Sequence, residues 1–83
     1  MLEVKRFSAA WCGPCRALAP LMEGIKSEHS DVVFETIDVD TDHEQASQFA
    51  IRSVPTVVIE QDGSEVNRLI GASTKEVILE NLS

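Results

Sequence analysis

Trp11-Cys12-Gly13-Pro14-Cys15 stands where a strand-forming segment gives way to a helix-forming one, and this stretch decides the fold. The run from Leu2 to Phe7 predicts a strand that enters a loop over residues 8–11. From Gly13 to about Glu28, apolar residues recur at i, i+3, i+4 and i+7, which predicts an amphipathic helix with Pro14 in its first turn. The apolar face of this helix consists of Leu18, Leu21, Met22 and Ile25.

The middle of the chain predicts a second strand, a short helix and a third strand. Val32 to Val39 is rich in Val, Ile, Phe and Thr, which favours a strand. Thr41-Asp42-His43-Glu44 has the pattern of a capping box with Thr41 as the N-cap. Thr56 to Glu60 is almost continuously apolar, as expected of a strand that is covered on both faces. We expect the short helix to bury Ala46, Phe49 and Ala50.

The last third of the chain predicts a hairpin and a final helix. Asp62-Gly63 is a strong signal for a two-residue hairpin turn, and Glu65 to Ile70 supplies the returning strand. Gly71 ends that strand, and Ser73-Thr74-Lys75-Glu76 is a second capping box with Ser73 as its N-cap. We expect the final helix to bury Val77, Ile78, Leu79 and Leu82.

The predicted order of elements is β-α-β-α-β-β-α, and this order indicates the class of fold. A βαβ unit gives parallel strands through a right-handed crossover, whereas a hairpin gives antiparallel ones. The sequence therefore predicts an α/β fold in which three helices flank both faces of a mixed four-stranded sheet. Eighty-three residues are enough for one core, so we expect a single domain over residues 1–83.

Composition and charge argue against several classes of function. The formal net charge is −7, which repels phosphate backbones and argues against a nucleic-acid partner. No window approaches the ~20 consecutive apolar residues of a membrane span, and the first residues lack the pattern of a signal peptide. We therefore expect a soluble chain that binds neither nucleic acid nor membranes.

Cys12 and Cys15 are the candidate reactive groups. A bridge that closes so short a loop constrains the unfolded chain very little, so we do not expect a structural disulfide. The nucleophile in disulfide exchange is a thiolate, which the free N–H groups and the macrodipole stabilise at a helix N-terminus. Cys12 occupies that place, and we expect it to lie at the exposed end and attack a substrate disulfide. Cys15, one turn further on, is then expected to resolve the mixed disulfide by attacking Cys12.

Two other interpretations of the cysteine pair fit the residues less well. A zinc site needs two further ligands, and the only histidines, His29 and His43, do not have ligand spacing. Two inert buried cysteines would not explain the position at a strand-to-helix junction. We therefore expect a redox pair and no metal site.

The sequence resembles the thioredoxin family over essentially its whole length. The resemblance is carried by Trp11-Cys12-Gly13-Pro14-Cys15, Val54-Pro55-Thr56, Asp62-Gly63 and Gly71. In that family the Cys-Gly-Pro-Cys centre reduces protein disulfides and is recharged by an NADPH-dependent flavoprotein, thioredoxin reductase. The resemblance thus implies a cytoplasmic, monomeric protein-disulfide reductase that uses the Cys12–Cys15 disulfide and no other cofactor. Its implied partners are disulfide-containing proteins and thioredoxin reductase.

The resemblance also implies a substrate-binding surface around the two cysteines. Pro55 is expected to follow a cis peptide bond that turns the Val54 backbone outward, where a substrate strand can pair with it. Trp11 and Gly71 are expected to flank the cysteines. The implied contact residues are Trp11, Gly13, Pro14, Val54, Pro55 and Gly71.

The chain departs from the family pattern at its beginning. Family members usually start with an extra strand and helix, which the sequence does not show before Leu2. In size the chain is closer to glutaredoxins. This leaves open a glutaredoxin-like oxidoreductase recharged by glutathione, and also a thioredoxin-fold binding module without redox chemistry.

Arg6 is the second departure from the family pattern. The family commonly carries a buried aspartate here, thought to shuttle protons for the resolving cysteine, and a lysine where Glu35 or Thr36 stands. Arg6 falls on the same strand face as Val4, and an arginine never deprotonates, so it cannot act as a base. Either Arg6 favours the Cys15 thiolate, as a pKa modulator, or it snorkels to the domain edge and meets a carboxylate.

Overall fold

The computed structural model describes residues 1–82, in which it places four strands and three helices. The elements are β1 Leu2–Ser8, α1 Gly13–Glu28, β2 Val33–Asp38, α2 His43–Gln48, β3 Thr56–Gln61, β4 Ser64–Ile70 and α3 Lys75–Glu80. The predicted order β-α-β-α-β-β-α is confirmed, and the four strands and α1 lie within a residue or two of their predicted bounds.

The four strands form one mixed sheet in the order β2-β1-β3-β4. β1 pairs in parallel with β2, placing Phe7 opposite Ile37, and antiparallel with β3, placing Phe7 opposite Thr56. β3 and β4 are antiparallel neighbours. Because β1 and β3 are the two central strands, the residues that follow β1 and precede β3 meet at one end of the sheet.

Helices cover both faces of this sheet, as predicted. The larger core lies between the sheet and the helices α1 and α3; its buried members are Val4, Leu18, Met22, Ile25, Val32, Val57, Ile59 and Ile78. On the opposite face the buried residues are Phe7, Ile37 and Val58, and Phe49 from the end of α2 packs against them. The almost continuous apolar run of β3 thus has one neighbouring core on each side.

The β3–β4 connection is the predicted two-residue hairpin. Asp62 and Gly63 have φ values of +52° and +87°, the sign that a type I′ turn requires at both central positions. Gln61 and Ser64 face each other across the turn. The turn therefore sets the pairing next to it, and the register of the two strands shifts further on, between Ile59 and Glu60.

Both predicted helix N-caps were wrong by one residue. The N-caps are Asp42 instead of Thr41 and Thr74 instead of Ser73. The Asp42 and Thr74 side chains accept the backbone N–H three residues on, at 3.1 and 3.3 Å respectively. Each predicted capping residue is followed directly by another residue able to cap, and the sequence pattern does not distinguish the two.

The predicted burial on the two short helices was partly wrong. Ala50 is exposed because it lies beyond the end of α2, with φ at +52°. Val77 is 38% exposed, whereas its neighbour Ile78 is fully buried. Adjacent residues on a helix point about 100° apart, so a six-residue helix that buries one of them leaves the other outside. Half-buried positions among the predicted ones are Ala46, Phe49, Leu79 and Leu82.

Candidate active site

The two cysteines lie where β1 leads into α1. Cys12 is the N-cap of α1, with an extended backbone (φ −91°, ψ 111°), and its Sγ accepts the backbone N–H of Cys15 at 3.2 Å. The two residues form a disulfide with their Cα atoms 5.2 Å apart. A sulfur that already receives an N–H at a helix N-terminus is well placed to carry negative charge once the disulfide is reduced.

The charges around the start of α1 also favour an anion. The first turn of this 16-residue helix contains no acidic residue. Arg16 follows Cys15 directly, and its Nη1 donates to the Ala10 carbonyl at 2.8 Å, which holds the guanidinium beside the loop before the helix. The positive end of the macrodipole and this cation act in the same direction on a sulfur anion.

The disulfide is covered, which corrects the expectation that Cys12 lies at an exposed end. Cys12 is 4% exposed and Cys15 is 1% exposed. The buried Ala9 and the half-buried Val39 and Val54 pack against the pair. The sequence places Cys12 at the helix terminus but does not show that segments from two other parts of the chain close over it.

The Val54–Pro55 segment lies directly against Cys12. The peptide bond between the two residues is cis, as expected, and Pro55 is buried. The Val54 carbonyl oxygen is 3.7 Å from Cys12 Sγ. The Pro55 carbonyl in turn accepts the N–H of Gly71 at 2.9 Å, and Gly71 has a φ of +86°. Residues far apart in the sequence are therefore linked at the reactive end of the sheet.

Trp11 stands out from the surface beside the cysteines. Its side chain is 68% exposed, and its Nε1 donates to Asp40 Oδ2 at 2.8 Å. Between Trp11 and Val54 runs a groove lined by Trp11, Val39, Ile51, Arg52, Ser53 and Val54. An exposed aromatic ring held by a hydrogen bond next to a groove is suited to contact a partner.

Several residues of this surface were missed by the sequence analysis, among them Asp40, Ile51 and Arg52. A signal was available for Asp40, because it follows the carboxyl end of β2, and β1 and β2 are parallel neighbours whose carboxyl ends meet at one edge. No comparable signal exists for Ile51 and Arg52, whose position depends on the path of the loop after α2.

Gly13 and Pro14 are exposed on the first turn of α1. A shallow second groove begins at Pro14 and continues to the segment after Gly71; it is lined by Pro14, Ala17, Leu18, Leu21, Ala72 and Ser73. The two grooves thus begin at Trp11 and at Pro14, on either side of Cys12 in the sequence.

Arg6 lies on the α1 face of β1, as predicted, and is only 8% exposed. Its Nη2 donates to Thr36 Oγ1 at 3.0 Å, and the parallel register places Thr36 directly opposite it. Glu35 belongs to the other face, where its carboxylate lies 3.3 Å from Lys5 Nζ. Among residues 1–82 Arg6 forms no ion pair within 4 Å. Burial lowers the pKa of Arg6, and the charge of Glu23 opposes this shift.

The structure also bears on a metal site and on a membrane span. Within residues 1–82, no group of three or more His, Cys, Asp or Glu side chains is placed to hold a metal ion. None of the helices in that range is long and apolar enough to cross a membrane.

Comparison with known proteins decides the family. The family description that matches the sequence is Thioredoxin, and it covers residues 2–83. The chain belongs to the thioredoxin family. Proteins of this family exchange electrons through a redox-active disulfide instead of a bound cofactor, and the pair with the matching spacing here is Cys12–Cys15.

Individual relatives agree with this assignment. The chain is 42% identical over 78 residues to a thioredoxin of Mycobacterium tuberculosis, covering 93% of this chain and 67% of that protein. It has the same identity over 78 residues to the bifunctional thioredoxin reductase/thioredoxin of Mycobacterium leprae, of which it covers 17%. The crystal structure of Fasciola hepatica thioredoxin superposes with a TM-score of 0.91 at 38% identity, covering 98% of this chain and 78% of that one. The protein is therefore a thiol–disulfide oxidoreductase of the protein-disulfide reductase type.

Proposed function

We propose that Cys12 is the attacking thiol and Cys15 the resolving thiol of this reductase. The observation that carries the assignment is the hydrogen bond from the Cys15 N–H to Cys12 Sγ at 3.2 Å, at a helix N-terminus without acidic residues. This environment stabilises a thiolate on Cys12. Cys15 lies one turn inside the helix and is 1% exposed, against 4% for Cys12 at the helix terminus.

The cycle balances as two thiol–disulfide exchanges. The Cys12 thiolate attacks one sulfur of the substrate disulfide, the substrate S–S bond breaks, and one substrate thiolate leaves and takes up a proton. The Cys15 thiolate then attacks Cys12 Sγ, which forms the Cys12–Cys15 disulfide and releases the second substrate thiolate. The substrate gains the two electrons that the protein dithiol loses. Holding Cys15 one turn away makes the second exchange intramolecular.

The substrate surface is proposed to be the groove between Trp11 and Val54. The Val54 carbonyl lies 3.7 Å from Cys12 Sγ, so a peptide chain that hydrogen-bonds to the Val54 backbone brings its own sulfur to Cys12. Main-chain pairing of this kind depends little on the partner's sequence, which suits an enzyme with many protein substrates. The other proposed contact residues are Gly13, Pro14, Pro55 and Gly71.

Thioredoxin reductase is the proposed electron donor. The relative from Mycobacterium leprae carries the names of both activities on one chain, which supports a pairing of the two. A dithiol that must be recharged after each cycle requires a reducing compartment, so we propose that the protein acts in the cytoplasm. We also propose that residues 1–83 act as a single, monomeric domain. Size-exclusion chromatography with light scattering tests the monomer, and recharging by NADPH with a thioredoxin reductase, compared with glutathione, tests the donor.

The roles of the two cysteines are tested by trapping the intermediate. Cys15→Ser is expected to accumulate a mixed disulfide with a disulfide substrate such as insulin, because Cys12 still attacks but nothing resolves the product. Cys12→Ser is expected to trap none, and the double variant is the matched control. Trapping by Cys12→Ser at the rate of Cys15→Ser would contradict the assignment. A Cys12→Ser, Cys15→Ser protein with full biological activity would instead indicate a binding module.

A further inference from the structure

Arg6 is a buried cation that forms no ion pair with a carboxylate in the described part of the chain, although the charge of Glu23 acts on it from α1. Its guanidinium is held by Thr36 Oγ1 at 3.0 Å, and Arg6 takes part in none of the ion pairs among residues 1–82. A guanidinium does not deprotonate, so Arg6 keeps its charge in this buried position. Burying a charge without a counter-charge costs free energy, so the position calls for an explanation.

The resolving cysteine is a group near Arg6 that acquires a negative charge during the reaction cycle. Arg6 and Cys15 line one depression between β1, β2 and α1, whose remaining members are Ser8, Ala9, Ala10, Arg16, Ala19, Thr36 and Asp38. In the oxidised protein Cys15 is neutral. Reduction and deprotonation place a thiolate there, on a residue that is 1% exposed and lines the same depression as the 8% exposed Arg6. Electrostatic attraction is stronger in such surroundings than in water.

We infer that Arg6 is a positioning residue that stabilises the Cys15 thiolate and so promotes the resolving step. The inference rests on the proposed roles of the two cysteines. The Cys15 proton passes to water, the thiolate attacks Cys12 Sγ in the mixed disulfide, and the substrate sulfur leaves as a thiolate. Arg6 takes no proton in this sequence. It acts through charge, where a carboxylate at this position would act as a base.

Other charged groups face the same region and also contribute to the charge balance around Arg6 and Cys15. From β2, Asp38 is half-buried and lies in the depression, where its carboxylate opposes a thiolate; its Oδ1 is engaged by the Asp40 N–H at 2.8 Å. From α1, Arg16 is exposed and assists a thiolate through solvent. The charged residues of α1 on the other side of Arg6 are Glu23 and Lys26, whereas the carboxylate of Glu35 on β2 is turned to Lys5 on the opposite face. Of these cations, Arg6 is the one that is buried and lines the same depression as Cys15.

The inference predicts a specific dependence on pH. The quantity to measure is the equilibrium constant for oxidation of the protein dithiol by glutathione disulfide, read by alkylating the remaining thiols. Where Cys15 is protonated, the charge of Arg6 has little effect, and Arg6→Met should match the wild type. Above the Cys15 pKa, Arg6→Met loses stabilisation of the reduced form, so its oxidation constant should exceed that of the wild type. A shift of one unit in the Cys15 pKa makes this difference tenfold, or about 30 mV.

Two variants serve as controls for charge and position. Arg6→Lys keeps a positive charge and should follow the wild type up to about pH 8, before a buried ammonium loses its proton. Arg16→Met removes a positive charge from the same depression at an exposed site; in a Cys12→Ser background, where its effect on Cys12 does not enter, it should shift the Cys15 titration less than Arg6→Met because solvent screens it. Thiolate absorbance in a Cys12→Ser background reports the Cys15 titration directly, and it should move to higher pH in Arg6→Met.

Each result of these measurements either supports or overturns the inference. Oxidation constants for Arg6→Met that equal the wild type at every pH, or differ by the same factor at every pH, would overturn the inference. So would an equal effect of Arg16→Met on the Cys15 titration. The trapping of a mixed disulfide by Cys15→Ser does not involve Cys15, so it tests the proposed function whatever Arg6 does.

Discussion

Replacing two glycines by alanine should change the stability of this protein in opposite directions. Gly24 lies on the exposed surface inside α1, whereas Gly71 follows β4 with a φ of +86°. At either position an added Cβ meets no heavy atom within 4 Å. Packing therefore contributes nothing to either replacement, and the backbone conformation decides the sign.

The size of the effect follows from two contributions. Alanine reduces the freedom of the unfolded chain at both sites, which stabilises the folded protein by about 0.4–1 kcal/mol. At Gly24 nothing opposes this gain, so Gly24→Ala should raise the free energy of unfolding by about 0.5–1 kcal/mol. At Gly71 the left-handed backbone costs alanine roughly 1–2 kcal/mol, which leaves a net loss. The unfolded-state contribution is common to both, so the difference between the variants measures the strain at Gly71.

Urea unfolding of the oxidised proteins, followed by far-ultraviolet circular dichroism, measures both free energies. For a chain of this length each kcal/mol also moves the thermal midpoint by roughly 4–8 °C. The Gly24→Ala protein should therefore melt above the wild type and the Gly71→Ala protein below it. Equal stability of the two variants would refute the reasoning, because it would mean that the backbone of Gly71 accepts alanine without cost.

Two further predictions concern the helix caps. Thr74→Ala should lower the free energy of unfolding by about 1 kcal/mol, whereas Ser73→Ala should change it little, because only the Thr74 hydroxyl receives a backbone N–H of α3; equal losses in chemical denaturation would contradict this. The pKa of Asp42 lies below its ordinary value of 3.8, because its carboxylate accepts hydrogen bonds first from the backbone and then from the side chain of Gln45. A lowered carboxyl pKa gives stability that is present above the unfolded-state pKa and is lost as the pH falls through the folded-state pKa. Relative to Asp42→Asn, which caps without titrating, the wild type should lose stability as the pH falls below 3.8, and a difference that stays constant in acid would count against it.

The fold was predictable because its signals are local. Runs rich in apolar and β-branched residues predicted the strands, and Asp62-Gly63 predicted the hairpin. Errors occurred where two adjacent residues compete for one role. Thr74 rather than Ser73 caps α3, and Ile78 rather than Val77 fills the core. In both cases the choice depends on the rotation of a short helix against the sheet, which a sequence pattern does not specify.

The sequence predicted the local features of the site but not the contacts between distant loops. Cys12 at a helix terminus and the cis bond before Pro55 were expected, and the structure adds the contact between Cys12 Sγ and the Val54 carbonyl. The covering of Cys12, and the hydrogen bond that holds Trp11 to Asp40, depend on loops that converge from three parts of the chain. The spacing of residues in the sequence does not show which loops come together.

The two cysteines differ in what controls their acidity, and this difference explains what the sequence reveals about each. The hydrogen bond to Cys12 Sγ is made by the backbone of its own helix, since an N–H three residues on points at the sulfur. Side-chain changes elsewhere leave such an environment intact, and a short motif is enough to predict it. The surroundings of Cys15 are made by side chains from β1, β2 and α1. A single replacement there, such as arginine for aspartate at position 6, changes the sign of the local charge without disturbing the fold. The attacking step should therefore vary little among proteins with this motif, whereas the acidity of the resolving thiol is free to be tuned by residues outside it.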